Sequence, residues 1–338
     1  MNSLPEAADT PRREQLLKLL ADGETHSGER LAEQLHITRA AVWKAINALR
    51  ELGVDIESQH QGYRLPCVVD LYDAERIGAA VNANNAGVLQ RIDVLFTVDS
   101  TNRFVTADPA TRAGRAVLCV AEIQQSGRGR RGRSWVAPFG SGICMSLGWL
   151  FDTMPPTFSA LSLAVGVALT RALREFGARE VGLKWPNDLL WHGRKLAGVL
   201  IEMRGEPDGP AHVVIGIGLN LRLPDASKQL LLEQQAQVVD LQEILGPQCP
   251  TRNQLVAAMT TQLLQVLPSF ALNGFAPFLD EWQRYDVLHK AEVNVLQGER
   301  TVAGVASGVT ADGSLLVDTP AGVQRFVSGE VSLRARSR

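Results

Sequence analysis

Residues 126–135 read SGRGRRGRSW, and their chemistry is that of an anion cradle. Arg128, Arg130, Arg131 and Arg133 carry guanidinium forks suited to phosphate or carboxylate. Gly127, Gly129 and Gly132 between them let backbone approach a ligand and take positive φ, and Trp135 closes the run with an indole. A second polar group interrupts the apolar stretch VGLKWPNDLLW at 181–191, where Lys184, Asn187 and Asp188 are costly to bury without partners. Pro186 implies an edge or a bulge that turns these three into a site; the alternative is an Asn-Asp turn cap with Lys184 on the surface. Lys195 opens the strand KLAGVLIEM, and Gly198 inside it marks a close approach of ligand or backbone. The strand 211–221 adds Gly216, Gly218 and Asn220. Upstream, a strand over 92–98 runs toward Ser100, Thr101 and Asn102, which serve a ligand, a helix N-cap, or both.

These groups need a scaffold that brings them together. Strand 116–124 delivers the chain to the arginine loop and strand 142–150 leaves it, so with the later strands a mainly antiparallel sheet is expected, with glycines where a small molecule lies flat. Gly127, Gly129 and Gly132 also satisfy G-x-G-x-x-G, but Pro138 and Gly140 follow where a dinucleotide fingerprint needs a helix. A nicotinamide oxidoreductase is rejected on that ground, and no Gly-Lys-Ser or Gly-Lys-Thr supports a P-loop. Helices are expected over 157–177, 230–237, 241–245, 252–272 and 275–282. From residue 293 short strands with turns at 297–298, 312–313 and 321–322 read as a small β-barrel of about 50 residues.

The first 66 residues have a different character. After a tail over 1–11, two helices lead to a third that Thr38 caps, and an alternating segment through residue 65 reads as a β-hairpin wing. This is a winged helix-turn-helix, with Thr38, Arg39, Ala40, Trp43, Lys44 and Asn47 as the DNA-facing candidates. Between residues 12 and 64 eight Lys or Arg balance eight Asp or Glu, so a lone copy binds DNA weakly and pairing of two copies is expected. The bland alternative is a module that binds protein. A linker is expected over 66–70 and a short helix over 73–81.

At 338 residues the chain exceeds one ordinary domain, and the boundaries fall at 1–66, 67–284 and 285–338. A net charge of -2 gives no bulk attraction to nucleic acid or membrane, so any anion site is local. The N-terminus lacks a secretory pattern, and the apolar stretch at 158–169 is too short to span a bilayer. Cys67, Cys119, Cys144 and Cys249 are scattered, which reads as reduced thiols in a cytoplasmic protein without a zinc site.

Four segments, HSGERLAEQLHITRAAVWKAINALRELGV, SGRGRRGRSW, KWPNDLLW and RKLAGVLIE, taken in that order resemble bacterial biotin operon repressors that are also biotin protein ligases. The resemblance runs from about residue 12 to 334. It implies a multidomain α+β chain whose central α/β domain is like class II aminoacyl-tRNA synthetases. The reaction it implies joins biotin to ATP as biotinyl-5′-adenylate with Mg²⁺, then passes biotin to a lysine of the biotin carboxyl carrier protein of acetyl-CoA carboxylase. It places biotin against Ser100, Thr101, Asn102, Gln124, Arg128, Arg130, Lys195 and Gly198. ATP or adenylate falls to Arg128, Arg130, Arg131, Arg133, Trp135, Lys184, Asn187 and Asn220. Lys195, Arg130, Lys184 and Asp188 are the catalytic candidates it gives, with Asp188 also the Mg²⁺ candidate. Operator DNA and a homodimer formed on adenylate binding are the further partners it implies. One departure stands out: no aromatic residue lies between Asn220 and Asp240, where some relatives cover the adenine, and Val238 and Val239 are the apolar substitutes. The competing readings are a lipoate protein ligase, disfavoured by the arginine loop and the helix-turn-helix, and a ligand-sensing transcription factor without ligase activity, disfavoured by the joint presence of the arginines, Lys184, Asp188 and Lys195.

Overall fold

A computed structural model describes residues 10–81, 87–110, 112–155, 157–205, 209–297, 299–327 and 331–335. Most of the expected tail, 1–9, lies outside these residues, as does Gly298 of the expected turn. The first helix, α1, already begins at Thr10 and runs Thr10–Leu20, with Pro11 in its first turn, where a missing N–H leaves no bond unmade. Helices α2 (Gly28–Gln34) and α3 (Arg39–Glu51) follow, each capped as its sequence dictates. Arg30 N donates to Ser27 Oγ at 3.1 Å, and Ala41 N to Thr38 Oγ1 at 3.2 Å. The wing is β1 (Glu57–Gln59) against β2 (Gly62–Arg64), with Glu57 opposite Arg64. Leu16, Leu20, Leu31, Val42, Ile46 and Leu49 form the core of this module, and Phe96 and Ile123 from the central sheet join the same cluster.

The segment expected as a linker, 66–70, ends in a set of hydrogen bonds to the central domain. Asp70 Oδ2 accepts from Asn253 N at 3.2 Å and Asn253 Nδ2 at 2.7 Å, and Tyr72 N donates to Glu122 Oε1 at 2.6 Å. Glu122 is ion-paired with Arg252 at 2.6 Å, both nearly inaccessible, and the Arg252 guanidinium lies 3.8 Å from the centre of the Tyr72 ring. Three distant segments are thereby tied to the start of α4 (Ala74–Ala80), which Asp73 caps.

A seven-stranded sheet is built from β3 (Leu89–Val98), β4 (Ala116–Gln124), β5 (Gly142–Phe151), β6 (Gly182–Lys184), β7 (Asp188–Trp191), β8 (Arg194–Gly205) and β9 (Ala211–Asn220). Its order is β3-β4-β5-β9-β8-β7-β6, with β3 parallel to β4 and every other pair antiparallel. Helix α5 (Thr101–Ala107) covers one face; α6 (Leu161–Glu175) and α9 (Arg252–Asn273) fill the core on the other. Between β9 and α9 come α7 (Asp225–Glu233) and α8 (Leu241–Leu245), and α10 (Leu279–Tyr285) follows α9. The helix expected at 230–237 thus starts earlier, after Pro224, and the one expected at 157–177 opens with a 3-10 turn before α6. Helix α9 is long and apolar enough to cross a bilayer, but here it is the central core helix.

The C-terminal strands β10 (Glu292–Gln297), β11 (Arg300–Val309), β12 (Leu315–Thr319), β13 (Gly322–Phe326) and β14 (Val331–Ala335) form one antiparallel sheet in the order β13-β12-β11-β10-β14. The expected barrel is corrected to an open sheet: β13 and β14 stand at opposite edges, and no pairing closes them among the described residues. The reason is visible in the packing. Val293, Val295, Val302, Val309, Leu315 and Val317 belong to the same core as the central domain, so the sheet buries its inner face there instead of against itself. Trp185 Nε1 donates to Gly313 O at 3.1 Å across that junction.

Candidate active site

Residues directly opposed on antiparallel strands point to the same face. Lys184 is opposite Asp188, Asp188 opposite Gly198, Gly198 opposite Gly218 and Gly218 opposite Cys144. The next row is Leu200, Gly216 and Ser146. The face toward α5 therefore has a floor of glycines, and two side chains occupy the room they leave. A Cβ at position 218 would sit 2.3 Å from the Trp135 indole, and one at 216 would sit 2.2 Å from Asn102 Oδ1.

The arginine loop is a short hairpin. Trp135 N donates to Gly127 O at 2.9 Å and Gly129 N to Arg133 O at 2.6 Å, around a 3-10 turn at Arg130–Gly132 in which Arg131 and Gly132 take positive φ. Trp135 is thus folded back over Gly218. Arg128, Arg131 and Arg133 are exposed, whereas Arg130 is half-buried and its Nη1 donates to Asn187 Oδ1 at 3.3 Å. Burial, followed by repulsion from Arg131 and Arg133 against the pull of Asp188, lowers the Arg130 guanidinium below its ordinary pKa. An anion placed among these arginines relieves both effects.

Lys195 Nζ lies 2.6 Å from Asp188 Oδ1 and 5.7 Å from the centre of the Trp135 ring. Its backbone pairs with the segment after α7, since Lys195 N donates to Gln237 O at 2.8 Å and Val239 N to Lys195 O at 3.0 Å. Asn220 is buried and holds this pairing: its Nδ2 donates to Lys195 O at 3.2 Å and Val239 O at 3.1 Å. Asn187 holds β8, donating to Val199 O at 2.8 Å. Two buried polar atoms, Trp135 Nε1 and Asp188 Oδ1, have no hydrogen bond here, although the latter has its ion pair with Lys195.

Beside these charged side chains, at the start of α5, lies a neutral hydrogen-bonded cluster. Ser100, Thr101 and Asn102 are all buried, and the Ser100 hydroxyl makes no capping bond. Gln124 Oε1 accepts from Thr101 N at 3.0 Å, and Ser146 Oγ lies 2.7 Å from Thr101 Oγ1 and 2.6 Å from Asn102 Oδ1. Asn102 Nδ2 donates to Glu202 Oε2 at 2.7 Å. Ser100 occupies the N-cap position without a side-chain capping bond, and Thr101 and Asn102 turn into this hydrogen-bonded cluster. Ser146 and Glu202 were missed by the sequence reading. Their signal was the period of two along a strand: Ser146 shares a face with Cys144 and Gly148, and Glu202 with Gly198 and Leu200.

The DNA-facing candidates lie where expected. Thr38, Arg39, Ala40, Trp43 and Lys44 are exposed, with Trp43 at 57%. Asn47 is half-buried and accepts from Arg50 at 3.4 Å, and Arg39 is ion-paired with Glu29 at 2.9 Å.

Comparison with known proteins agrees with this geometry. Residues 95–220 match the Biotin/lipoate A/B protein ligase family, residues 12–64 an HTH domain, and residues 291–334 the Biotin protein ligase C terminal domain. The chain is 36% identical over 321 residues to the Bifunctional ligase/repressor BirA of Salmonella typhimurium, spanning 95% of this chain and 97% of that one. The chain belongs to the bifunctional biotin protein ligase/repressor family. The Escherichia coli protein of the same name is 35% identical over 96% of this chain and 97% of its own. Among solved structures, the biotin protein ligase from Aquifex aeolicus in complex with biotin and ATP superimposes with a TM-score of 0.60 at 28% identity, covering 73% of this chain and 100% of that one. The sheet of this biotin protein ligase is accordingly of the class II synthetase-like kind, and the N-terminal module marks the repressor branch.

Proposed function

We propose that the glycine-floored cleft activates biotin with ATP and hands it to a carrier lysine, and that the observation carrying this is the adjacency of a neutral hydrogen-bonding pocket to a cationic mouth. A biotin ring fits the first and an acyl phosphate the second. In the first step a biotin carboxylate oxygen attacks the α-phosphorus, the bond to the β-phosphate oxygen breaks, and pyrophosphate leaves. In the second, a carrier lysine amine attacks the acyl carbon, the bond from carbon to the phosphate oxygen breaks, AMP leaves, and the amine loses its proton.

Lys195 is assigned to the carboxylate and then to the anhydride oxygen, where negative charge develops, and Asp188 holds its ammonium in place. Lys184 and the four loop arginines neutralise phosphate oxygens, with Arg130 steadied by Asn187. Trp135 covers the adenylate on Gly198 and Gly218, its Nε1 available to the ligand. Asn220 acts indirectly, by holding residues 237–239 against Lys195. With the arginine loop, that segment keeps water from the anhydride. A magnesium ion fits here as one carried in on the triphosphate, since Mg²⁺ favours one or two carboxylates plus phosphate oxygens, and Asp188 would hold it through Oδ2 because Oδ1 is ion-paired with Lys195 at 2.6 Å. It would supply charge neutralisation at the phosphates.

The acceptor in this reading is the biotin carboxyl carrier protein, and the α3 surface meets operator DNA as a homodimer that adenylate promotes, in the cytoplasm. The test is incubation of the full chain with biotin, ATP, Mg²⁺ and a carrier domain, beside the same assay with lipoate. Biotin-dependent pyrophosphate exchange and carrier labelling are expected, with Arg130→Ala losing adenylate retention while its thermal midpoint stays near that of the parent. Exchange driven equally by lipoate would overturn the assignment.

A further inference from the structure

We propose that Glu202 is a positioning residue that fixes the hydrogen-bond polarity of the ring pocket, so that Thr101 has no proton to give and the pocket selects a ligand bringing its own N–H donor. This rests on the reading that the pocket holds the biotin ring.

Asn102 Nδ2 lies 2.7 Å from Glu202 Oε2 and 3.4 Å from Leu200 O. A carboxylate and a carbonyl only accept, so the atom facing them is the amide nitrogen and both its hydrogens are committed. The opposite atom, Asn102 Oδ1, is then an acceptor, and 2.6 Å away stands Ser146 Oγ, whose single hydrogen must point to it. Ser146 is fully buried, and its second neighbour is Thr101 Oγ1 at 2.7 Å. With its own hydrogen spent, Ser146 can only accept there, so the Thr101 hydroxyl donates across the 2.7 Å contact to Ser146 in preference to its longer one, 3.2 Å to Gln124 Oε1; either acceptor leaves it no proton for a ligand. Gln124 is oriented independently: the Thr101 backbone N–H donates to its Oε1 at 3.0 Å, which turns Nε2 toward Gly127 and the loop.

The result is a one-way chain, Thr101 to Ser146 to Asn102 to Glu202, ending on an anion at the solvent edge of β8, where its charge costs little desolvation. The pocket then offers lone pairs at Thr101 and N–H groups at Gln124. A cyclic urea, with N–H beside C=O, complements that pair. Without an acceptor at 202 the Asn102 amide can turn over and Ser146 can reverse, which releases the Thr101 proton from Ser146 to be shared between Gln124 Oε1, 3.2 Å away, and a ligand acceptor. Gly216 sharpens the effect, because its missing Cβ is what lets the Asn102 amide lie against the sheet at all.

The test uses the full chain in biotin titrations by calorimetry, with biotin and with a biotin analogue whose ring N–H is replaced by ether oxygen, making a cyclic carbamate. Native protein is expected to prefer biotin over the carbamate by about a hundred-fold, since an acceptor facing an ether oxygen is left unpaired. Glu202→Leu is expected to weaken biotin binding by about ten-fold and to narrow that preference, while KM for ATP and kcat at saturating biotin hold. Glu202→Gln, which keeps an acceptor oxygen, is expected to restore most of both. Ser146→Ala breaks the same chain in the middle and is expected to narrow the preference too. Glu202 is exposed, so these variants at 202 fold, and a thermal melt verifies it. An unchanged preference in both Glu202→Leu and Ser146→Ala overturns the inference. Failure of native protein to bind biotin at all would instead overturn the reading of the pocket on which it rests.

Discussion

Gly216 and Gly218 act through the room they leave. Alanine at 218 would put its Cβ 2.3 Å from the Trp135 ring, and a packed indole cannot yield that far without leaving the sheet. Gly218→Ala is therefore expected to release biotinyl-adenylate about ten-fold faster or more, measured by chasing labelled adenylate; retention at the native rate would show that Trp135 is not the cover. Asp286, at the C-terminal end of α10, is half-buried. Burial raises its carboxyl from 3.8 to about 6, against the pull of the Leu288 amide and His289. The folded protein thus keeps this proton longer than the unfolded chain does, so stability falls as pH rises from about 4 to about 6, and the loss persists above. Asp286→Asn keeps an oxygen for Leu288 N, 2.9 Å away. It should stabilise the protein by on the order of 1–3 kcal/mol at pH 7.5, with the gain shrinking toward pH 4 in urea titrations.

At the scale of elements, the joint between the modules is set by a buried pair. Arg252 at the start of α9 meets Glu122 on β4 at 2.6 Å, while Asp70 and Tyr72 bond to Asn253 and Glu122. Removing one partner leaves an uncompensated buried charge, so Arg252→Ala should cost about 3–5 kcal/mol. Replacing both, as Arg252→Met with Glu122→Leu, should recover much of that loss; equal losses in single and double variants would count against the pair as the cause. This joint was not legible in the sequence, where Pro66 to Asp70 has the composition of a linker and its partners lie about 180 residues away.

For the whole molecule, the helix-turn-helix is electrically balanced over residues 12–64, so phosphate attraction alone cannot hold it on an operator. Two linked copies can, because the second contact is then intramolecular. The arginine loop continues from β4 and residues 237–239 pair with β8, in the sheet whose Phe96 and Ile123 pack into the helix-turn-helix module's core. Sedimentation velocity with and without biotinyl-adenylate is expected to show association only with it, and operator affinity should rise with protein concentration under the same condition. A monomer in both states would remove dimerisation from the account of repression.

The sequence by itself determined what local chemistry can encode. Ser27, Thr38 and Asp73 cap the helices they precede, glycines permit the arginine hairpin, and Lys184, Asp188 and Lys195 mark a charged cluster because ionic groups in apolar strands need partners. The family followed from those motifs in order. What only the tertiary structure decided depends on pairing across the sheet. Register puts Gly198 beside Gly218 and Ser146 beside Gly216, which makes a floor out of scattered glycines. Asn220 becomes a backbone clamp because β8 and residues 237–239 meet at its side chain, and Glu202 gains meaning only once Asn102, a hundred residues earlier, lies against it. The C-terminal strands read as a barrel from their own pattern, yet they open into a sheet because the central domain supplies the other half of their core. Local propensity and spacing are written residue by residue, whereas the partner of a buried polar group or an apolar face is fixed by the packing of the whole chain.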